Sequence, residues 1–238
     1  MFPLIHIGYG VYIPVYPIAT GISIALVAYL VLKEDDRFAG ELLFFITSFI
    51  LSSRIFLGKD IFKLWESGYS LMMGVTISFF PTLIFLLIRR KDFLYFFDLC
   101  SRYAPIGLAV HRIFGCFLAG CCWGIPSSFG FFPHPWSLAF KHVGYTKLFP
   151  VQLFEGLWWI ISFFIVRNSK DKTSVFLLCL FISRIFEYVR GDIDLFFSFG
   201  GIKISFYQIS SAFLLILTVT VKYILKKINR KNEIKNKN

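Results

Sequence analysis

The chain has 238 residues, of which 57% are hydrophobic, 20% aromatic and only 16% charged. Soluble domains lie nearer about 45–50% apolar and about 25% charged, so a water-facing fold could not cover this much apolar surface. The net charge of +11 comes from 25 basic and 14 acidic residues, with a basic run from Lys222 onward (Lys226, Lys227, Arg230, Lys231, Lys235, Lys237); such a tail reads as an anchor against anionic lipid headgroups, and no nucleic-acid partner is expected.

The opening MFPLIHIGYGVY carries no Lys or Arg before the first apolar run, so it lacks the positive n-region of a secretory signal. A helix needs about 20 apolar residues to cross a ~30 Å hydrocarbon core. Seven segments are candidates: Ile13–Leu32, Glu41–Gly58, Ser70–Ile88, Ala104–Cys122, Pro150–Val166, Ser174–Arg190 and Ile204–Leu225. The stretch from Asp92 to Gly124 would be ~50 Å long as one helix. Pro105 and Gly107 therefore predict a break, with an interfacial helix over Phe93–Tyr103 before the crossing. The expected class is all-α: a polytopic membrane protein of about seven transmembrane helices. Residues 1–225 form a single transmembrane domain and 226–238 a basic cytoplasmic tail.

Lys and Arg between the spans fall unevenly, fifteen on one side against six on the other. The positive-inside rule then places the N-terminus outside and the C-terminus in the cytoplasm. The long segment from Ile125 to Phe149 is external in this orientation.

Orientation turns sequence position into depth. Arg54 lies ~20 Å from the cytoplasmic edge, His111 and Arg112 ~10–12 Å, and Arg184, Glu187 and Arg190 ~15–24 Å, while Glu155 lies ~8 Å from the outer edge. Each such charge costs about 2.5–3.5 kcal/mol on insertion scales and normally faces the bundle interior. Two readings fit. In the first the charges simply cancel, Arg112 against Glu155 and Arg184 against Glu187. Alternatively, the excess of guanidinium serves an anionic ligand such as a phospholipid headgroup, since Arg grips phosphate bidentately and keeps its proton.

The most distinctive run is HRIFGCFLAGCCWGIP, His111 to Pro126. Its cysteines, Cys116, Cys121 and Cys122, lack the paired C-x2-C spacing of a zinc site, so no metal and no cofactor are expected. A thiol redox role is the alternative for them, and small apolar packing the simplest account.

That run, with FPVQLFE (Phe149–Glu155), SRIFEYVRGD (Ser183–Asp192), WESGYSLMMG (Trp65–Gly74) and Gln208, resembles the prolipoprotein diacylglyceryl transferase family. The resemblance spans most of the chain, with its motifs in family order. It implies a multi-pass enzyme of the bacterial inner membrane. Such an enzyme moves a diacylglyceryl group from phosphatidylglycerol to the lipobox cysteine of a prolipoprotein signal peptide. It implies Arg112 and Arg184 as phosphate-holding catalytic residues, Glu155 as a catalytic carboxylate and candidate base beside His111 or the lipid phosphate itself, and Glu187 as the group orienting Arg184. Arg54, Arg190, Tyr16 and Gln152 fall on the substrate-binding side. The sequence departs from the family pattern in several places. Met72 stands where the family has His, Gly115 and Cys116 where it has Asn, Leu180 where it has Tyr, and Phe149 where it has His. Arg184 precedes Glu187 by three residues rather than four, and the signature is one residue longer than its common form. A divergent member acting on another lipid or acceptor, or a thiol redox membrane protein, remains the alternative function.

The orientation is tested by a reporter fused after Leu225. Activity is expected only from reporters that work in the cytoplasm; a fusion active only outside the cell would reverse the topology.

Overall fold

The computed structural model describes residues 4–8, 11–55, 71–89, 91–192, 196–199 and 202–235. A short antiparallel hairpin, β1 (Leu4–Gly8) and β2 (Val11–Pro14), leads into α1 (Val15–Glu34). A turn of 3-10 helix joins α1 to α2 (Ala39–Ile55), and α3 (Leu71–Ile88) follows. Then come α4 (Phe93–Val110), β3 (Pro126–Phe131), α5 (Leu138–Val143), α6 (Val151–Asn168) and α7 (Lys172–Ser183). A second hairpin, β4 (Phe196–Phe199) and β5 (Ile202–Ser205), precedes α8 (Phe206–Lys235). The molecule is mostly helical, as expected, and the two small hairpins are additions that the span pattern did not predict. The last helix runs unbroken through the basic residues to Lys235.

Among the described residues, two helices are long and apolar enough to cross a membrane, Val15–Glu34 and Phe206–Ile224, with a shorter apolar helix at Gly74–Ile88. Large aliphatic side chains in mid-helix face outward on several elements, including Leu43, Ile84, Ile161 and Ile216. Apolar surface spread over so many helix faces is what lipid covers and water does not.

The predicted break at Pro105 does not occur. Asp92 caps the helix by accepting the Tyr95 N–H at 3.0 Å, and α4 passes through Pro105 and continues as a π-helical segment, His111–Phe117. There is thus no separate interfacial helix over Phe93–Tyr103. Proline is tolerated in such helices because neighbours re-satisfy the freed carbonyl. Gly107 acts as a contact point rather than a hinge: a Cβ there would lie 2.4 Å from Val27 Cγ2 and 3.2 Å from the Ser23 carbonyl oxygen. With the helix starting at Phe93, Arg112 lies ~28 Å along it, further from the helix start than a span beginning at Ala104 would put it. That shift puts it level with the first turns of α6, where Glu155 sits.

α4 is the central element and packs against α1, α6 and α7, while α2 pairs with α3 and α7 with α8. One apolar cluster joins α4, α6, α7 and α8 around Trp159, Phe176, Leu180 and Leu214. A second joins α1, α2, α3 and α4 around Val31, Leu42, Leu86 and Phe96. The loop ends below these clusters are tied by charge. Arg102 pairs with Glu34, Arg89 Nε reaches Glu41 at 3.0 Å, and Lys222 bridges Asp98 and Asp171. In the turn after α1, the Arg37 side chain donates to both Asp35 oxygens at 2.9 and 2.7 Å. These hydrogen bonds hold the Asp35 carboxyl below its ordinary range.

Gly107→Leu is expected to destabilise the protein by about 1–3 kcal/mol through overpacking between α1 and α4. Gly21→Ala, where an added Cβ meets nothing within 4 Å, should be neutral or stabilising by up to about 1 kcal/mol. Thermal unfolding in detergent reads both, and equal effects would show that the α1–α4 approach is not tight.

Candidate functional site

Three separated motifs converge because their backbones are joined. The Ile125 N–H donates to the Val189 carbonyl at 3.0 Å and the Gly191 N–H to the Trp123 carbonyl at 2.9 Å. On the other side the Phe149 N–H donates to the Ile125 carbonyl at 3.0 Å. Residues 123–125 therefore lie between the end of the α7 segment and the start of α6. Gly124 is required here: a Cβ would fall 2.3 Å from the Phe149 carbonyl oxygen.

This junction brings Arg112 to Glu155. Arg112 Nε lies 2.9 Å from Glu155 Oε2, with side-chain exposures of 7% and 1%. The contact is ionic rather than a well-aligned hydrogen bond: neither Glu155 oxygen has a donor in line, nor has Arg112 Nε an acceptor, among the described residues. Arg112 Nη1 also donates to Cys116 Sγ at 3.5 Å. Both groups keep hydrogen-bonding capacity that no described residue fills.

The second pair is fully engaged. Beyond Ser183, α7 tightens into a 3-10 segment, Arg184–Val189. Arg184 Nη1 donates to Glu187 Oε1 at 2.9 Å, and its Nε and Nη2 donate to Ser183 Oγ at 3.2 and 2.9 Å. The other Glu187 oxygen accepts the Ser205 hydroxyl. Ser205 is in turn the cap of α8: its Oγ accepts the Gln208 N–H at 3.0 Å, and Gln208 Oε1 accepts the Ser205 N–H at 2.9 Å. This reciprocal capping box fixes Ser205, which fixes Glu187, which fixes Arg184. Tyr188 adds a hydrogen bond to Gln208 Oε1 at 3.2 Å.

Arg190 makes a fork on Asp192, with Nε to Oδ1 at 2.9 Å and Nη2 to Oδ2 at 2.7 Å. The excess of guanidinium over carboxylate expected from the spans is therefore smaller than the sequence suggested, because Asp192, just past the helix, supplies a third partner. The two inner pairs lie within electrostatic reach of each other: Arg184 feels both Glu155 and Arg112. Gln152 is fully buried and donates to the Cys121 carbonyl at 2.8 Å, leaving its Oε1 unpartnered among the described residues.

Beside this cluster opens a largely apolar cavity of about 610 Å³. Tyr16, Thr20 and His111 line it at the end nearest the arginines, and Cys100, Thr173 and Thr218 line it elsewhere. His111 is held by ring contact with Tyr16, centroids 5.3 Å apart, and by Thr20 Oγ1 at 3.3 Å from Nδ1. Leu180, standing where the family has Tyr, is buried and faces this cavity.

A family model described as prolipoprotein diacylglyceryl transferase matches residues 9–224. The chain belongs to that family. A protein of Methylocella silvestris, named phosphatidylglycerol–prolipoprotein diacylglyceryl transferase, is 32% identical over 179 residues, which make up 68% of this chain and 60% of that protein. Proteins of the same name from Polynucleobacter necessarius and Pasteurella multocida are 32% and 31% identical over 195 and 206 residues, covering 74% and 82% of this chain and 70% and 72% of theirs. Family membership makes the chain a membrane protein, which agrees with its outward-facing aliphatic surface.

The family motifs thus meet at one place, with Arg112, Glu155, Arg184, Glu187 and Arg190 all in it and Tyr16 beside it. Arg54 lies on α2, but its side chain is outside the described residues, as is that of Met72; so is the part of the WESGYSLMMG motif before Leu71. His142 stacks on Trp123, and His134 contacts Trp136. Sequence reasoning missed Ser183, Ser205 and Asp192. The S-x-x-Q spacing of Ser205 and Gln208 was the available signal for the capping box.

Ser205→Ala removes both the helix cap and the donor to Glu187. It is expected to cost about 1–2 kcal/mol of stability, whereas Ser205→Thr keeps the hydroxyl and should recover most of it. Equal losses in the two variants, read by thermal unfolding, would show that packing rather than the hydroxyl matters.

Proposed function

We propose that this chain transfers a diacylglyceryl group from phosphatidylglycerol to the lipobox cysteine of a prolipoprotein signal peptide. The observation that carries the reading is the family match over residues 9–224, together with a buried arginine–glutamate cluster whose Arg112 directly follows His111, a residue that lines an apolar cavity. The protein works as a multi-pass component of the bacterial inner membrane, with about seven spans, the N-terminus outside and the C-terminus cytoplasmic. Residues 1–225 make one transmembrane domain and the basic tail beyond it lies against anionic lipid.

In this reading the acyl chains of phosphatidylglycerol enter the cavity, whose volume is in the range of ligand pockets, about 300–1,000 Å³. The headgroup phosphate reaches the unfilled donors of Arg112. The acceptor thiol attacks the glycerol carbon that carries the phosphate. A C–S bond forms, the C–O bond to phosphate breaks, and glycerol phosphate leaves with the electron pair. Arg112 and Arg184 stabilise that leaving charge, and electrostatic stabilisation of this kind is often the largest catalytic contribution. Glu187, fixed by Ser205, orients Arg184. The thiol proton goes to Glu155, whose oxygens lack donors in line, to His111 at the cavity mouth, or to the phosphate itself. Tyr16, Gln152, Arg54 and Arg190 form the substrate-binding surround.

If the arginines only balance their glutamates, apolar replacement of each whole pair should be tolerated, since buried ion pairs are often replaceable. We expect Arg112→Leu with Glu155→Leu, and Arg184→Leu with Glu187→Leu, to fold but to lose at least about 100-fold in transfer, the scale of one good oxyanion donor. Arg112→Lys should also be poor, because an ammonium cannot make the bidentate fork. Transfer from phosphatidylglycerol to a lipobox peptide thiol measures each. Near-normal transfer in a folded double variant would make that arginine structural.

A further inference from the structure

The three cysteines of the signature come together in a way that their spacing in sequence does not suggest. The Sγ atoms of Cys116, Cys121 and Cys122 lie within 4.8 Å of one another, and all three thiols are free. The backbone is shaped to achieve this. Beyond the π-helical segment the helix ends over Gly120, and the Cys121 N–H donates back to the Cys116 carbonyl at 3.1 Å, which sets the two cysteines one wide turn apart. The chain then reverses through Gly120 at φ 66° and Cys122 at φ 55°, the latter the sole non-glycine residue with positive φ among the described residues. A side chain in that region is strained and persists where the surroundings demand it. The turn is also braced: the Gly120 carbonyl accepts the Ala139 N–H at 3.1 Å and the Cys121 carbonyl accepts the buried Gln152 amide at 2.8 Å.

We propose that Cys116, Cys121 and Cys122 form a binding site for a soft d10 divalent cation of the zinc and cadmium type. Three thiolates around an ion at a metal–sulfur distance of about 2.3 Å stand roughly 4.0 Å apart in a trigonal arrangement. The sulfurs need to draw in by under about 1 Å to reach it. Each thiol gives its proton to solvent as its sulfur binds, so three thiolates and one divalent ion leave a single negative charge. Arg112 Nη1, 3.5 Å from Cys116 Sγ, lies in place to offset that charge. His111 Nε2, also 3.5 Å from Cys116 Sγ, stands where a fourth donor would come from. Cys116 is fully buried while Cys121 and Cys122 are partly exposed, so the site has a closed floor and an open approach. The paired C-x2-C spacing of common zinc sites assumes a tight turn; the π-helical turn and the left-handed residue replace it here.

The test uses the full chain, purified in detergent under reducing, oxygen-free conditions. Cd²⁺ is added and the ultraviolet thiolate-to-metal charge-transfer band is followed, then Zn²⁺ is allowed to compete. Metal retained after gel filtration is counted by mass spectrometry. We expect about one ion per chain, with the band weakened at least about tenfold in affinity by Cys121→Ser or Cys122→Ser singly, the minimum for losing a ligand. Cys100→Ser and Cys179→Ser, the free cysteines elsewhere in the bundle, should bind as the parent does. The two single variants at the partly exposed positions keep the test decisive even if Cys116→Ser fails to fold. Absence of the band, binding that survives both single variants, or thiol titration showing two of the three already joined as a disulfide would each overturn the site. Because the readout is metal content and a spectrum, its failure leaves the transferase reading untouched.

Discussion

A guanidinium inside a hydrocarbon slab keeps its charge, because its proton cannot be shed at any accessible pH. Every intramembrane arginine must then find a carboxylate, and the helices that carry the two must arrive at the same depth. That single requirement explains much of the arrangement seen here. α4 runs unbroken past Pro105 and so delivers Arg112 to the level of Glu155 in the second turn of α6. α7 gives way to a 3-10 turn and so sets Arg184 and Glu187, three residues apart, face to face. The chain leaves that turn and supplies Asp192 to Arg190. The backbone bonds among residues 123–125, 149 and 189–191 hold these three solutions together.

The pairs are not equivalent. Arg184 is held by three hydrogen bonds, to Glu187 on one side and Ser183 on the other, with the capping box of α8 behind. It is a fixed charge. Arg112 and Glu155 touch without an aligned hydrogen bond between them, and among the described residues they have donors and acceptors left over. At the other end of the bundle Lys222 joins α8 to Asp98 of α4 and to Asp171 at the start of α7, and Asp98 accepts the Thr173 N–H at 2.9 Å. This ties α4, α7 and α8 where Thr173 and Thr218 line the cavity. Thr173 and Thr218 bring the cavity close to this charged tie, and His111 brings it next to Arg112 in the chain.

Helix positions were legible in the sequence because a membrane imposes length: α1, α3 and α6 begin and end within two residues of the spans read from apolar runs. Charged residues in the apolar runs stood out for the same reason, and the fold pairs Arg112 with Glu155 and Arg184 with Glu187. What the sequence did not reveal depends on backbone detail. Pro105 and Gly107 read as a break, yet the proline is absorbed and the glycine lets α1 approach. Asp192 lies outside every apolar run, so nothing in hydropathy pointed to it as the partner of Arg190. The convergence of Cys116, Cys121 and Cys122 depends on a wide turn and a left-handed residue, neither of which has a spacing rule. The hairpins β1–β2 and β4–β5 are too short to show alternation against so apolar a background.

The π-helical segment at His111–Phe117 also bears on how this signature tolerates length. An α-helix advances about 100° per residue, so one residue gained or lost ordinarily swings everything beyond it to a different face. A π turn takes up one extra residue within a single loop of the coil and returns the downstream chain to its former face. The signature reads as one residue longer than the form it resembles, and a wide turn of this kind has room for one such residue. Deleting one position between Ile113 and Gly115 would let the coil rewind as ordinary α-helix. The residues downstream, Cys121, Cys122 and Trp123 among them, would keep the face they present now, with the Trp123 carbonyl still accepting the Gly191 N–H. Insertion and compensation are thus built into the same seven residues, and neither can be removed without the other.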